Sequence, residues 1–184
     1  MERHKIKKAK DLIIILSLFI FLTVILSRPV WDIDFWWHLS AGKYITEHKA
    51  LPNTDPFSFT AERYISPYKD IILKNYWLAQ VIFFLVFKFA GIYGILILRL
   101  LLYTAIFLLI FLWSRKKSCN DFIILFFLIL AGWLSTNYTG DRPQLFSSFF
   151  APLSIFLLEN FKDNIRKQRS NLWIFIILPI VMLL

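Results

Sequence analysis

A single cysteine, Cys119, stands among the 184 residues, so no internal disulfide can form and cysteine says nothing of the redox compartment. Repeats of fixed period and low-complexity tracts are also lacking, which excludes solenoid arrays and long flexible linkers. Acidic residues are few, 12 against 21 Lys and Arg, for a formal net charge of +9. In a soluble protein that surplus would suggest nucleic acid; here the charges cluster at the ends of apolar runs, which argues against a nucleic-acid partner. Long polar stretches are nearly missing too, the only one being 28–74.

What is present is apolar. Hydrophobic residues make up 58% of the chain and aromatics 18%, with mean hydropathy +0.62, above the roughly 45 to 50% apolar content of soluble domains. The expected class is an all-α integral membrane protein, with 1–184 as one transmembrane domain and 28–90 as an extracytoplasmic loop bearing interfacial helices.

Residues 1–11 carry Arg3, Lys5, Lys7, Lys8 and Lys10 against Glu2 and Asp11, a basic flank that the positive-inside rule places in the cytoplasm. The run from Leu12 to Ser27, extended by Pro29, Val30 and Trp31, supplies about 20 residues, enough for a ~30 Å hydrocarbon core. Ser27-Arg28-Pro29 lacks a small-x-small cleavage pattern, which favours an uncleaved first span over a signal peptide. Between Arg28 and Lys74 six basic and six acidic residues balance, as fits an external loop. Within it Phe35 to Lys49 reads as an amphipathic helix lying on the outer leaflet, with Phe35, Leu39, Gly42 and Ile45 on one stripe, Asp34 as N-cap, and Trp36, Trp37 and Tyr44 as interfacial anchors. A turn-rich stretch with Pro52, Asn53, Asp55, Pro56 and Ser58 ends it.

The next apolar stretch, 76–113, is 38 residues long, about 57 Å as one helix and nearly twice a bilayer core. It must break. A hairpin at Gly91-Ile92-Tyr93-Gly94 would leave Arg115, Lys116 and Lys117 outside. An interfacial helix from Trp77 to Phe89 that turns at Ala90-Gly91 into one span returns them to the cytoplasm, and positive-inside selects it. Phe122 to Tyr138 and Pro143 to Asn160 are then expected to cross outward and back, kinked near Pro152, before a basic segment from Glu159 to Arg169. With a partial fifth element at 171–184, the expectation is four complete spans, two interfacial helices and a chain that forms the front part of a larger module or relies on a partner chain for missing helices.

Three places carry potential chemistry. Asp32 and Asp34 lie two residues apart beside Trp36, Trp37 and His38; such a pair can hold a divalent cation such as magnesium or manganese, or supply a general base, and can equally be a helix cap beside a solvated acid. His38 falls four residues after Asp34, on the same helix face, where it can orient the carboxylate, join a metal shell or act as a plain polar contact. In Gly140-Asp141-Arg142-Pro143-Gln144, Asp141 and Gln144 have capping-box spacing, while Arg142 at an external helix N-terminus facing the Asp32/Asp34 loop could grip a phosphate. Lys88 and Arg99 come third. Arg99 sits about 10 Å inside its span, a costly depth that calls for burial toward the bundle with an acid or an anionic head group as partner, unless the side chain snorkels outward. Asn137-Tyr138-Thr139 fits a glycosylation sequon but lies close to the expected membrane.

The order of these motifs, DIDFWWHLSAGKYI and LPNTDPFSFT in the loop, WLAQ opening the next helix, then GDRPQ, resembles the N-terminal half of bacterial membrane proteins related to the GT-C glycosyltransferases. The resemblance implies a sugar donor on a polyprenyl phosphate, used at the outer face of the cytoplasmic membrane, with an acid of the first loop as base or metal ligand. Carried over by position, that role falls on Asp34, with Asp32 second, and Arg142 and Arg99 would neutralise the carrier phosphate. His38, Trp36, Trp37, Asp141 and Lys88 complete the expected substrate-binding set. A non-catalytic membrane subunit that binds lipid-linked glycan or scaffolds an envelope assembly is the competing expectation.

Overall fold

A computed structural model describes residues 2–52, 55–57, 74–135 and 140–166. Among the described residues every regular element is a helix: α1 Glu2–Leu26, α2 Ile33–His48, α3 Trp77–Lys116, α4 Asp121–Ser135 and α5 Gln144–Arg166. The all-α class therefore holds, whereas the expected four complete spans do not. By length and composition, two described helices can cross a membrane, α1 over Ala9–Leu26 and α3 over Trp77–Lys116. Helix α4 has 15 residues, about 22 Å of rise and less than a hydrocarbon core. Helix α5 is longer, but Ser147, Ser148, Pro152, Glu159, Lys162 and Asp163 break its apolar run. The partial fifth element at 171–184 and the sequon at 137–139 lie outside the described residues.

The apolar windows of α1 and α3 are only 22% and 28% buried within the bundle. Large side chains such as Ile13, Ile20, Val24, Phe89, Ile97 and Leu101 face outward. The core of a soluble protein would cover them, so the two helices suggest a membrane protein.

Helix α3 does not run straight. Gly91 takes φ 59° and ψ −151° inside it, a backbone state that residues with a Cβ rarely adopt, so the chain bends where the apolar run exceeds one crossing. The arm before Gly91 packs on α2. Phe35, Leu39, Gly42 and Ile45, the expected stripe, are all buried, but against the protein: Phe35 and Leu39 cluster with Ala79, Phe83, Ile95 and Phe146. The stripe is thus taken up by α3 and α5 and not left for lipid. Gly42 makes the close approach feasible, since a Cβ there would fall 2.0 Å from the carbonyl oxygen of Gln80.

A second cluster fills the rest of the bundle. Ile14, Leu18, Leu22 and Leu26 of α1 recur every fourth residue and meet Ile106, Phe107 and Phe111 of α3, Ile124 and Leu128 of α4, and Leu145 of α5. At the N-terminal end of α1, Arg115 pairs with Asp11 and Asp121, each at 3.0 Å, and Lys117 with Glu159 at 3.3 Å. The three basic segments expected on one side therefore meet at one end of the bundle.

Candidate functional site

The opposite end holds a cleft of about 850 Å³ between the α1–α2 connection, the second arm of α3 and the start of α5. Its charged lining is Arg28, Asp32, Asp34, Arg99, Asp141 and Arg142, joined by Tyr103, Gln144 and Ser148. Among the described residues three arginines and three aspartates line it, and they divide by depth.

At the rim, Arg142 spans both acids of the first loop. Its Nε donates to Asp32 Oδ2, its Nη2 to Asp32 Oδ1 at 3.1 Å, and the same Nη2 lies 3.0 Å from Asp34 Oδ2. The hydrogen bond to Asp32 raises the pKa of Arg142 above its ordinary value, with both carboxylates adding to the effect against some burial. Asp32 also accepts from the backbone N–H of Asp34 at 3.1 Å and is the N-cap of α2. This corrects the expected cap: Asp32 fills that role, because α2 begins at Ile33, and Asp34 is left in the first turn with its side chain 58% exposed.

At the floor, Arg99 is 1% exposed and lies 2.9 Å from Asp141, itself 2% exposed. The acid that Arg99 needs at its depth is therefore Asp141, and outward snorkelling does not occur. The contact of Arg99 Nε with Asp141 Oδ1 rests on charge and proximity more than on an aligned hydrogen bond. Arg99 Nη1 donates to the Arg28 carbonyl at 3.1 Å, while Nη2 is buried with no hydrogen-bond partner. Burial pushes the Asp141 carboxyl up, and Arg99 pulls it back. Asp141 does not serve as a capping box for α5: its side chain is spent on Arg99, and the first turn is instead closed by the backbone bonds Leu145 N–H to Arg142 O and Phe146 N–H to Pro143 O.

The other expected residues lie elsewhere. His38 is buried between α2 and α3, its Nδ1 3.1 Å from Gln80 Nε2, and does not line the cleft. Burial lowers its pKa to about 4 against the pull of Asp34 and Asp32, so it is neutral near pH 7. Trp37 donates from Nε1 to Asp55 Oδ1 at 3.2 Å, tying α2 to the segment that follows it, and Trp36 packs edge-on against Phe35 and Phe87. Lys88 is exposed on the first arm of α3, away from the cleft. Arg28 and Tyr103 were missed from the sequence. Tyr103 falls one helical turn beyond Arg99, a spacing that could have flagged it.

Asp32 and Asp34 do not fit a divalent cation in this arrangement. Three of their four carboxylate oxygens contact the Arg142 guanidinium, and among the described residues no group of three His, Cys, Asp or Glu side chains comes together. A smaller apolar cavity of about 170 Å³ lies between α1 and α3, lined by Leu26, Ser27, Tyr93, Leu96, Ile97 and Leu100 among others; its lining adjoins that of the cleft at Ser27–Arg28 and Arg99–Leu100. Comparison with protein families, with curated proteins and with solved structures finds no match for the chain.

Proposed function

We propose that this is a multi-pass protein of the cytoplasmic membrane, N-terminus inside, that transfers a sugar from a polyprenyl-phosphate donor to an acceptor on the extracytoplasmic side, in the manner of the GT-C glycosyltransferases. The observation that carries the reading is one cleft in which an exposed carboxylate, Asp34, shares the lining with a buried guanidinium, Arg99. Asp34 keeps one carboxylate oxygen outside the Arg142 contact and takes the proton of the acceptor hydroxyl. The deprotonated acceptor oxygen, not Asp34, then bonds to the anomeric carbon as the carbon–oxygen bond to phosphate breaks, and the departing phosphate takes that bond's electron pair toward the arginines lining the cleft. Asp32, held on both oxygens by Arg142 and capping α2, positions its neighbour and does not react.

Release of polyprenyl phosphate from a polyprenyl-phosphate sugar by the purified protein tests this. Asp34→Asn is expected to lower release by about a hundredfold or more with helix content unchanged; undiminished release would remove Asp34 from the chemistry.

A second reading, a non-catalytic subunit that binds lipid-linked glycan, is favoured by one feature: Arg142 already holds both acids, and a carboxylate committed to a guanidinium is a poorer proton acceptor. Saturable donor binding with no release in the same assay would select it.

A further inference from the structure

The apolar stripe of α2 cannot rest on a leaflet, because α3 and α5 cover it. The apolar side chains left open at this end of the bundle are different ones. Trp31 is 77% exposed and Ile33 85%, and Trp36 stays half exposed although its ring meets Phe87 edge-on. Asp34, exposed in the same turn of α2, has its carboxylate on Arg142. Farther along the helix the outward side chains turn polar: Ser40, Lys43 and Glu47 are exposed, and the last two pair at 3.9 Å. Trp37 and Tyr44, the other expected anchors, are engaged within the protein, Trp37 with Asp55 and Tyr44 with His48 and Phe57. The open face of α2 is therefore apolar in its first turn and polar after it.

These open side chains continue a surface that already faces outward. Ile13, Leu16, Ile20 and Val24 form one exposed stripe that runs to the end of α1, and Trp31 and Ile33 follow it. Beside that end, exposed Tyr93 shares the small cavity with Thr23 and Ser27, and exposed Phe89 stands just before the bend at Gly91. Tryptophan and tyrosine at the end of an apolar stripe have the amphipathic rings that suit a membrane–water boundary.

We propose that Trp31, Ile33 and Trp36, with Phe89 and Tyr93 at the bend, form one belt seated in the head-group region of the leaflet on the cleft side, so that α2 meets lipid by its N-terminal tip alone. The polar remainder of its open face stands in water. The belt side chains carry no charge, so their partner is the boundary between head groups and hydrocarbon and not a cluster of anionic heads. Trp31 and Ile33 also line the cleft, and seating them sets its mouth at head-group level. The inference is independent of the transfer reaction proposed above.

Depth measurement on the full chain tests it. In a Cys119→Ser background, Trp31→Cys and Ile33→Cys each carry an environment-sensitive fluorophore; both native side chains are exposed, so neither substitution empties the core. Val24→Cys is the reference for hydrocarbon and Lys43→Cys the reference for water. In phosphatidylcholine vesicles, labels at 31 and 33 are expected to emit to the blue of the label at 43, to be quenched by nitroxide-bearing lipids, and to lose most of their quenching by iodide present on both sides of the membrane. The label at 43 should show the reverse, and added phosphatidylglycerol should leave the pattern unchanged. Phe89→Cys reads the same belt from α3, so the test survives loss of helix content in either connection variant.

Iodide quenching at 31 and 33 equal to that at 43 overturns the proposal. Lipid quenching at 43 equal to that at 31 also does so, since α2 would then lie flat. Shielding of 31 and 33 from both quenchers would overturn it in favour of a protein cover, such as a second copy of this chain. Lipid contact that appears only with phosphatidylglycerol would replace the uncharged boundary by anionic heads and overturn it as well.

Discussion

The two ends of the bundle use the same ion pairs to different effect. At the end where α1 begins, Lys10, Asp11, Arg115, Lys117, Asp121 and Glu159 join four helices through contacts of 3.0 to 3.3 Å, with most of these side chains a quarter to a half exposed. At the cleft end, Arg99 and Asp141 meet at 2.9 Å with side chains 1% and 4% exposed. Distance is almost the same and the solvent is not. Exposed partners keep their water when separated, so each such pair is worth little. A buried partner left alone keeps a desolvated charge, so breaking the pair costs far more than the pair contributes. The first end is a set of exchangeable ties, whereas the second is a fixed feature around which the chain must close.

Four measurements sharpen or break that contrast. The largest effect is expected at Arg99→Gln or Asp141→Asn taken singly, about 3 to 5 kcal/mol of stability in each case, read from thermal or denaturant unfolding in detergent. The double variant should cost clearly less than the two combined, and strict additivity would show that the pair is not the unit. Next comes pH. Folded His38 stays neutral down to about pH 4, whereas the free side chain protonates near 6.5. Above 6.5 neither state is charged and pH has no leverage. Between about 6.5 and about 4 the unfolded chain alone takes up the proton, so stability falls as the pH drops, by about 3 kcal/mol over that window. His38→Gln should flatten that part of the profile, and an unchanged slope would remove His38 from it.

Smaller again is Gly42→Ala. Its Cβ would meet the Gln80 carbonyl oxygen, and the overpacking is expected to cost about 2 kcal/mol and to loosen α2 from α3, seen as faster amide exchange in α2. At the far end, Lys117→Gln should cost no more than about 0.5 kcal/mol and lose even that in high salt. A cost comparable to that of Arg99→Gln would erase the distinction between the two ends.

How much of this was legible beforehand depends on the range of the cause. The break at Gly91 follows from counting, because 38 apolar residues exceed one crossing and a glycine stands near the middle. The stripe of α2 follows from helical spacing, and its burial was correctly placed on Phe35, Leu39, Gly42 and Ile45. What covers that stripe did not follow: an apolar face fits a leaflet as well as it fits Phe83 and Phe146, and only packing chose. The cap moved from Asp34 to Asp32 because two candidates two residues apart look alike until the backbone bends. Hydropathy overcounted the spans, since an apolar window by itself does not say how much of it one helix uses, and α4 is described over 15 residues.

The site divides in the same way. That Arg99 needed an acid was readable from its depth in an apolar run; that the acid is Asp141, 42 residues away, was not. His38 and Gln80 are also 42 residues apart, and the polar glutamine in the apolar run WLAQVIFF was a signal that pointed to no partner. Composition and period alone determined that this chain is helical and apolar, where its long run must bend, and which residues would be costly to bury. Tertiary structure alone decided which arginine is satisfied and which is not. Charge sits in the sequence, but whether a charge has a partner depends on chain segments that meet only when the helices pack.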